Sequence, residues 1–147
     1  MRAEDHFHVG VVVDDLDAAL ARLSDLFGYR WSGAFEGRIP VWLPGGDREV
    51  DLRFVYSRTT PRIEVIQSVE GTVWVPSAGS GVHHLGYWSD DVEGDAARLA
   101  HAGAVMEAAG RTPGGAAQWS YHRAPDGPRI ELVDRALQPF LEKFWSE

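Results

Sequence analysis

Two histidines and two glutamates recur in matching places along this chain, and those four side chains have the composition of a metal site. His8 lies in Phe7-His8-Val9-Gly10-Val11-Val12-Val13-Asp14-Asp15-Leu16, and His84 lies in His83-His84-Leu85-Gly86-Tyr87-Trp88-Ser89-Asp90-Asp91-Val92, 76 positions on. The same shift carries Ala21-Arg22-Leu23 onto Ala97-Arg98-Leu99. Glu64, in Arg62-Ile63-Glu64-Val65, returns 67 positions on as Glu131, in Arg129-Ile130-Glu131-Leu132, so the second copy is the shorter. Neutral imidazole and carboxylate suit Mn, Fe, Co, Ni or Zn, and six-coordinate geometry would leave two positions for water or substrate. A single strand histidine is more often a hydrogen-bonded core residue, and a strand glutamate more often part of a solvated face. Recurrence of both types at equivalent places in diverged copies favours a shared site for His8, Glu64, His84 and Glu131.

The elements that must position them read the same way twice. Phe7 to Val13 is β-rich, and Asp14 or Asp15 can cap a helix with Leu16, Leu20, Leu23 and Phe27 at helical spacing, stopped by Gly28. The second copy gives a strand from His83 to Ser89, a cap at Asp90 or Asp91, a helix from Val92 to about Ala102 and a stop at Gly103. Short β-prone stretches with turn signals follow each helix: Arg38 to Leu43, Val50 to Tyr56 and Arg62 to Gln67, then Gly103 to Met106, Gln118 to Arg123 and Arg129 to Val133. Each copy is a βαβββ module. The reading is an α+β fold: modules 1–70 and 82–134 pair into a curved mixed sheet around a metal-binding bowl, joined by a linker at 71–81. A short helix at 135–147 follows, with Leu137, Phe140, Leu141 and Phe144 on one face, placed to cover a sheet edge or a dimer partner. Strand alternation puts His8 with Gly10 and Val12, and His84 with Gly86 and Trp88. The glycines two residues after each histidine leave room beside it for a ligand.

Each module of about 70 residues would alone bury only roughly 60% of its unfolded surface, so the two share a core. The chain carries 14 Lys and Arg against 22 Asp and Glu, a net charge of −8 with no basic cluster, which excludes the electrostatics of nucleic-acid and anionic-membrane binding. The absence of cysteine excludes disulfides, thiolate catalysis and sulfur-ligated zinc. No signal-like segment or long apolar run is evident, and a cytoplasmic protein acting on a small molecule is expected.

These openings, together with Pro125-Asp126-Gly127-Pro128-Arg129-Ile130-Glu131-Leu132-Val133, resemble the vicinal oxygen chelate superfamily from Phe7 to Asp134. That superfamily includes glyoxalase I, methylmalonyl-CoA epimerase, fosfomycin-resistance thiol transferases, extradiol dioxygenases and bleomycin-binding proteins. The resemblance implies one divalent ion, Co, Ni, Mn, Zn or Fe, on His8, Glu64, His84 and Glu131, and a homodimer. A fourth ligand at Glu64 is the pattern of glyoxalase I and the epimerases, and the His83-His84 pair is closest to the epimerases. Implied is an isomerase, epimerase or lyase that abstracts a proton next to a carbonyl, with a metal-stabilised enediolate.

The resemblance makes Glu131 the first choice of base, with Glu64 or Asp47 returning the proton. Asp47, and Glu49 after it, are loose matches to the epimerases' non-ligand acid/base carboxylate. Trp88, Trp42, Phe54, Trp119 and Tyr121 sit on strands able to line the bowl, which points to a secondary metabolite or lipid-like acid as substrate. Two other readings stand beside this one: a metal-free self-resistance protein sequestering an aromatic ligand, and a metal-dependent dioxygenase.

Overall fold

The computed structural model describes residues 1–147. The first module runs β1 (His6–Val13), α1 (Leu16–Phe27), β2 (Phe35–Leu43), β3 (Gly46–Tyr56) and β4 (Arg62–Gln67). The second repeats it as β5 (His84–Ser89), α2 (Val92–His101), β6 (Val105–Arg111), β7 (Ala117–Arg123) and β8 (Arg129–Asp134). A 3₁₀ turn then leads into α3 (Gln138–Ser146). No helix is long and apolar enough to cross a membrane.

Local chemistry fixes the helix ends. The Asp15 carboxylate accepts from the Ala18 amide at 3.0 Å and Asp91 accepts from Gly94 at 2.9 Å, so both modules use the second aspartate of the pair as cap. Gly28 closes α1 with φ 72°, a conformation that disfavours any side chain. Leu16 and Ala19 of α1 pack on Val55 and Val65, with Leu20 and Leu23 beside them. Phe27, on the same helical spacing, is instead exposed because it sits at the open end of the helix. Strands β2 and β3 are longer than their apolar cores predict. The tight turn lets Leu43 pair with Gly46, and the Arg38–Asp51 and Arg53–Glu36 ion pairs clasp the outer face of the hairpin.

The two modules form one curved mixed sheet, as the sequence leads one to expect. It closes into a barrel in the order β1-β4-β3-β2-β6-β7-β8-β5. Within each module the first and last strands are parallel, and the modules meet antiparallel at β1 and β5 on one side and at β2 and β6 on the other. The second seam carries one pair, Trp42 opposite Ala109, so the first carries most of the closure.

The barrel interior is filled at one end by Val12, Val41, Leu43, Val50, Leu52 and their neighbours. Trp74 drops into this cluster from the connection between modules, which is thereby a packed segment as well as a linker. At the other end Tyr56, Trp88, Val133 and Trp145 cluster against Phe7, Leu137 and Leu141. A closed barrel has no free edge for α3 to cover, and α3 lies across this end of the interior instead.

Trp145 ties that end together: its ring is 5.6 Å from Tyr56 and 6.0 Å from Phe7, and the Arg62 guanidinium lies 4.0 Å over it. Truncation by Trp145→Ala should cost about 3 to 5 kcal/mol in urea unfolding. Trp145→Phe removes a buried indole N–H that has no partner, and should cost less than about 1.5 kcal/mol. Equal losses would show that ring packing does not hold α3.

Candidate metal centre

Strand register alone brings the four donors together. Across β3, β4, β1 and β5, one rung reads Tyr56, Glu64, Gly10, His84; across β1, β5, β8 and β7, its mate reads His8, Gly86, Glu131, Tyr121. The rungs are related by the pseudo-twofold axis between β1 and β5, and each puts a glycine between its carboxylate and its imidazole.

Those glycines serve the site differently from the expectation. A methyl group built on Gly10 would overlap the His84 imidazole, and one built on Gly86 would overlap that of His8. The space beside each histidine is therefore filled by the other module's histidine, not by an approaching ligand.

The result is a tight set. His8 Nε2 is 2.8 Å from His84 Nε2, 3.1 Å from Glu131 Oε2 and 3.4 Å from Glu64 Oε2. His84 Nε2 is 3.2 Å from Glu64 Oε2 and 3.4 Å from Glu131 Oε2, and all four donors lie within 4.8 Å of one another. Ligands around an ion with bonds of about 2.0 to 2.2 Å sit about 3 to 3.5 Å from their neighbours. Both carboxylate oxygens are buried without a hydrogen-bond partner. Two orphaned, buried oxygens converging with two imidazole nitrogens fit a divalent cation, and the arrangement has no apolar alternative to repay its desolvation.

The electrostatics agree. Burial works against a charge on His8, but Glu131 and Glu64 outweigh it and lift its pKa to about 9. His84 is raised against burial by the same pair. Burial works against the charges on Glu64 and Glu131 as well, yet the imidazoles hold both carboxyls below the usual range. Tyr56 and Tyr121 move the other way: burial first, then the two carboxylates, keep their phenols protonated.

Outside the set, His83 Nε2 donates to the Val73 carbonyl at 2.7 Å, and its Nδ1 lies 2.9 Å from His84 Nδ1. A carbonyl only accepts, so a neutral His83 carries its proton on Nε2 and accepts from His84 Nδ1–H. A neutral His84 is thereby held in the tautomer whose bare Nε2 faces the cluster. Burial, then the neighbouring His84, lowers the His83 pKa to about 4, which keeps it neutral.

A cavity of about 270 Å³ opens beside the donors, with Glu64 and Glu131 in its wall. Phe54, Trp119 and Tyr121 line it. Trp42 does not: alternation along β2 turns Val41 and Leu43 inward and leaves Trp42 37% exposed. Trp88 keeps the face of His84, but it packs with Tyr56, Val133 and Trp145, with Phe7 stacked on it at 3.8 Å, and is not in the cavity wall. A register shift in β1 between His6 and His8 accompanies this inward turn of Phe7. Asp47 is not brought to the cluster. It is exposed at the turn of the β2–β3 hairpin, while Tyr56 at the far end of β3 is the residue level with Glu64, about 30 Å away along an extended strand. Glu49 is likewise exposed near that turn.

The sequence pattern gives no site role to Tyr56, to Trp74, to His83 beyond its pairing with His84, or to Phe140 and Leu141 beyond the apolar face of the terminal helix, whereas Tyr56, Trp74, Phe140 and Leu141 line the cavity and His83 bonds His84. Tyr56 was findable, since a tyrosine precedes each repeated glutamate by a similar interval.

A family model described as the glyoxalase/bleomycin resistance protein/dioxygenase superfamily matches residues 7–122. No curated protein matches the chain. Among solved structures, a variant methylmalonyl-CoA epimerase of Streptomyces coelicolor in complex with 2-nitronate-propionyl-CoA aligns at TM-score 0.58 and 21% identity, covering 88% of this chain and 96% of that one. The methylmalonyl-CoA epimerase of Mycobacterium tuberculosis aligns at 0.57 and 21%, over 88% and 87%. A variant 4-hydroxymandelate synthase of Streptomyces coelicolor aligns at 0.54 and 22%, over 88% of this chain but 38% of its own length. These likenesses establish the fold.

Two outcomes test the centre. Gly10→Ala or Gly86→Ala should displace the facing imidazole and lower divalent-ion affinity at least about 10²-fold in a competitive chelator titration, whereas Gly45→Ala at the exposed hairpin turn should not. With its pKa raised from 6.5 to about 9, His8 contributes stability to the metal-free protein that is complete below pH 6.5 and lost as pH rises through 9. A cation competes for the same nitrogen, so calorimetric ion affinity should climb over that window while the metal-free urea midpoint falls. Affinity that does not change with pH would mean that no proton leaves the cluster.

Proposed function

We propose that this chain, which belongs to the glyoxalase/bleomycin resistance protein/dioxygenase superfamily, is a divalent-metal-dependent isomerase, epimerase or lyase that removes a proton next to a carbonyl. The observation that carries the reading is the placement of Glu64 and Glu131. They are the only charged residues lining an otherwise apolar cavity, and they enter it from opposite modules beside two imidazole nitrogens.

His8, His84, Glu64 and Glu131 would hold the ion. When bound, it supplies a Lewis acid that polarises the substrate carbonyl and acidifies the adjoining C–H. Glu131 is the base. The imidazoles hold it ionised below the usual carboxylate range, the form that can accept a proton though as a weak base, so the step depends on the acidified C–H. Glu64, related to it by the pseudo-twofold axis, returns a proton from the other side. Return to the same carbon inverts it, return to a neighbouring carbon isomerises, and loss of a leaving group instead gives a lyase. Tyr121 and Tyr56 stand level with the two carboxylates as protonated phenols. Asp47 has no part, for the reason of distance given above.

Glu131→Gln keeps an oxygen at the ligand position but removes the base. Solvent deuterium exchange into enolisable ketones, followed by NMR on metal-loaded protein, should fall about 10²- to 10⁴-fold in this variant while metal content is retained. Exchange unaffected by Glu131→Gln would sink the assignment. Ligand binding that survives chelation, with no exchange in the parent protein, would favour sequestration instead.

A further inference from the structure

The two histidines of the donor set are equivalent by duplication but not by surroundings. The offset of 76 positions that carries His8 onto His84 carries Phe7 onto His83. Each of these preceding residues stands its ring across the imidazole that follows it: Phe7 lies 4.4 Å from His8 at 68°, and His83 lies 5.2 Å from His84 at 89°. A benzene ring fills that place without a polar atom. His83 fills it with a nitrogen, Nδ1, 2.9 Å from His84 Nδ1, and ties its other nitrogen to the Val73 carbonyl at 2.7 Å. His8 Nδ1 is left buried with no partner.

An imidazole that offers Nε2 to a cation carries its remaining proton on Nδ1. For His84 that N–H has an acceptor, because the proton of His83 is committed to a carbonyl. For His8 the same N–H is buried without an acceptor, which costs its desolvation and leaves the ring less firmly oriented.

The carbonyl that orients this relay is itself held. The Val69 amide donates to the Trp74 carbonyl at 2.8 Å, and Thr72 Oγ1 donates to the Val69 carbonyl at 2.7 Å while accepting from the Trp74 amide at 3.0 Å. Val73 and Trp74 are both buried. The His83 amide donates to the Gly10 carbonyl at 2.8 Å, so the residue is pinned at its backbone and at both ring nitrogens.

We infer that His83 is a positioning residue of the metal centre: with the Val73 carbonyl it fixes the orientation and tautomer of His84 and makes His84 the anchoring donor, while His8, backed by Phe7, is the weaker of the pair. This rests on the reading of the four donors as a metal site and adds the connection between modules to that site. Trp74, next to Val73, lines the cavity, and its indole N–H donates to the Tyr121 hydroxyl at 3.4 Å. One short segment therefore both orients a metal donor and shapes the substrate wall.

Zinc affinity in a competitive chelator titration tests this with two amides that each keep half of the relay. In His83→Asn the side-chain oxygen can stand where Nδ1 stood and accept from His84, with nothing reaching Val73. In His83→Gln the longer side chain can reach the Val73 carbonyl, with no acceptor beside His84. His83→Asn should stay within about threefold of the parent, and His83→Gln and His83→Phe should lose about 10- to 100-fold. Affinity kept in His83→Gln and lost in His83→Asn would mean that His83 only ties down the connection, and overturns the inference. So would three variants that all bind as the parent does.

The effect should also be specific to one donor. His84→Ala should cost more zinc affinity than His8→Ala. Adding His83→Phe to His8→Ala should weaken zinc a further tenfold or so, whereas adding it to His84→Ala should change affinity less than about twofold. Equal losses in the two backgrounds, or the opposite order of the single variants, overturn the inference. Circular dichroism of the metal-free proteins checks folding, and if His83→Phe does not fold, the Asn and Gln variants decide. A parent protein that takes up no zinc removes the metal centre and this role together. A parent that binds zinc with indifferent His83 variants removes this role alone.

Discussion

The interior of this protein depends on one reciprocal contact: each module's central histidine lies over the other module's glycine. His8 stands opposite Gly86 and His84 opposite Gly10 on the antiparallel seam between β1 and β5. Neither ring could occupy its position if the facing residue carried a side chain. The contact sets the register of the seam, and because β4 and β8 pair in parallel with β1 and β5, it also sets where Glu64 and Glu131 arrive. The main barrel seam and the donor cluster are therefore one feature of the chain pairing.

That arrangement buries four ionisable groups, each 7% exposed or less. Without a cation at their centre, two carboxylates with orphaned oxygens are tolerable only if the imidazoles take up protons, and the raised His8 and His84 pKa values express that demand. The two states of the cluster, protonated or metallated, satisfy the same field. Support from outside is unequal: His84 Nδ1 is held through His83 to the Val73 carbonyl, whereas His8 Nδ1 is buried with no partner. Duplication supplied two equivalent histidines, and the connection between modules made them inequivalent.

Around this polar knot the barrel is almost wholly apolar. One cluster gathers Trp74 among branched aliphatics, and a cavity lined in part by that cluster opens beside it, with Phe140 and Leu141 of α3 in its wall. A substrate there is surrounded by aromatic and aliphatic side chains and meets charge only at the four-donor cluster. In such a low-dielectric setting the exchange of a proton or an ion at the carboxylates is strongly felt. The proposed chemistry is thus confined by the sharp division of the interior into a charged centre and an uncharged wall.

The sequence by itself determined the βαβββ repeat, the aspartate caps, and the pairing of His8 with His84 and Glu64 with Glu131. These are visible because duplication preserves local chemistry at a fixed offset, and strand alternation shows which side chains share a face. What only the tertiary structure decided is everything that turns on which strands are neighbours. Closure of the barrel removed the edge that α3 was expected to cover and made it a roof. Register put a partner histidine, not a ligand, beside Gly10 and Gly86. Inward rotation of Phe7 covered Trp88, and the phase of β2 turned Trp42 outward. Strand length left Asp47 stranded at a hairpin tip far from the centre. Local patterns fix periodicity along a chain, but register, closure and distance across a sheet arise from pairings between residues far apart in sequence, and no single segment carries that information.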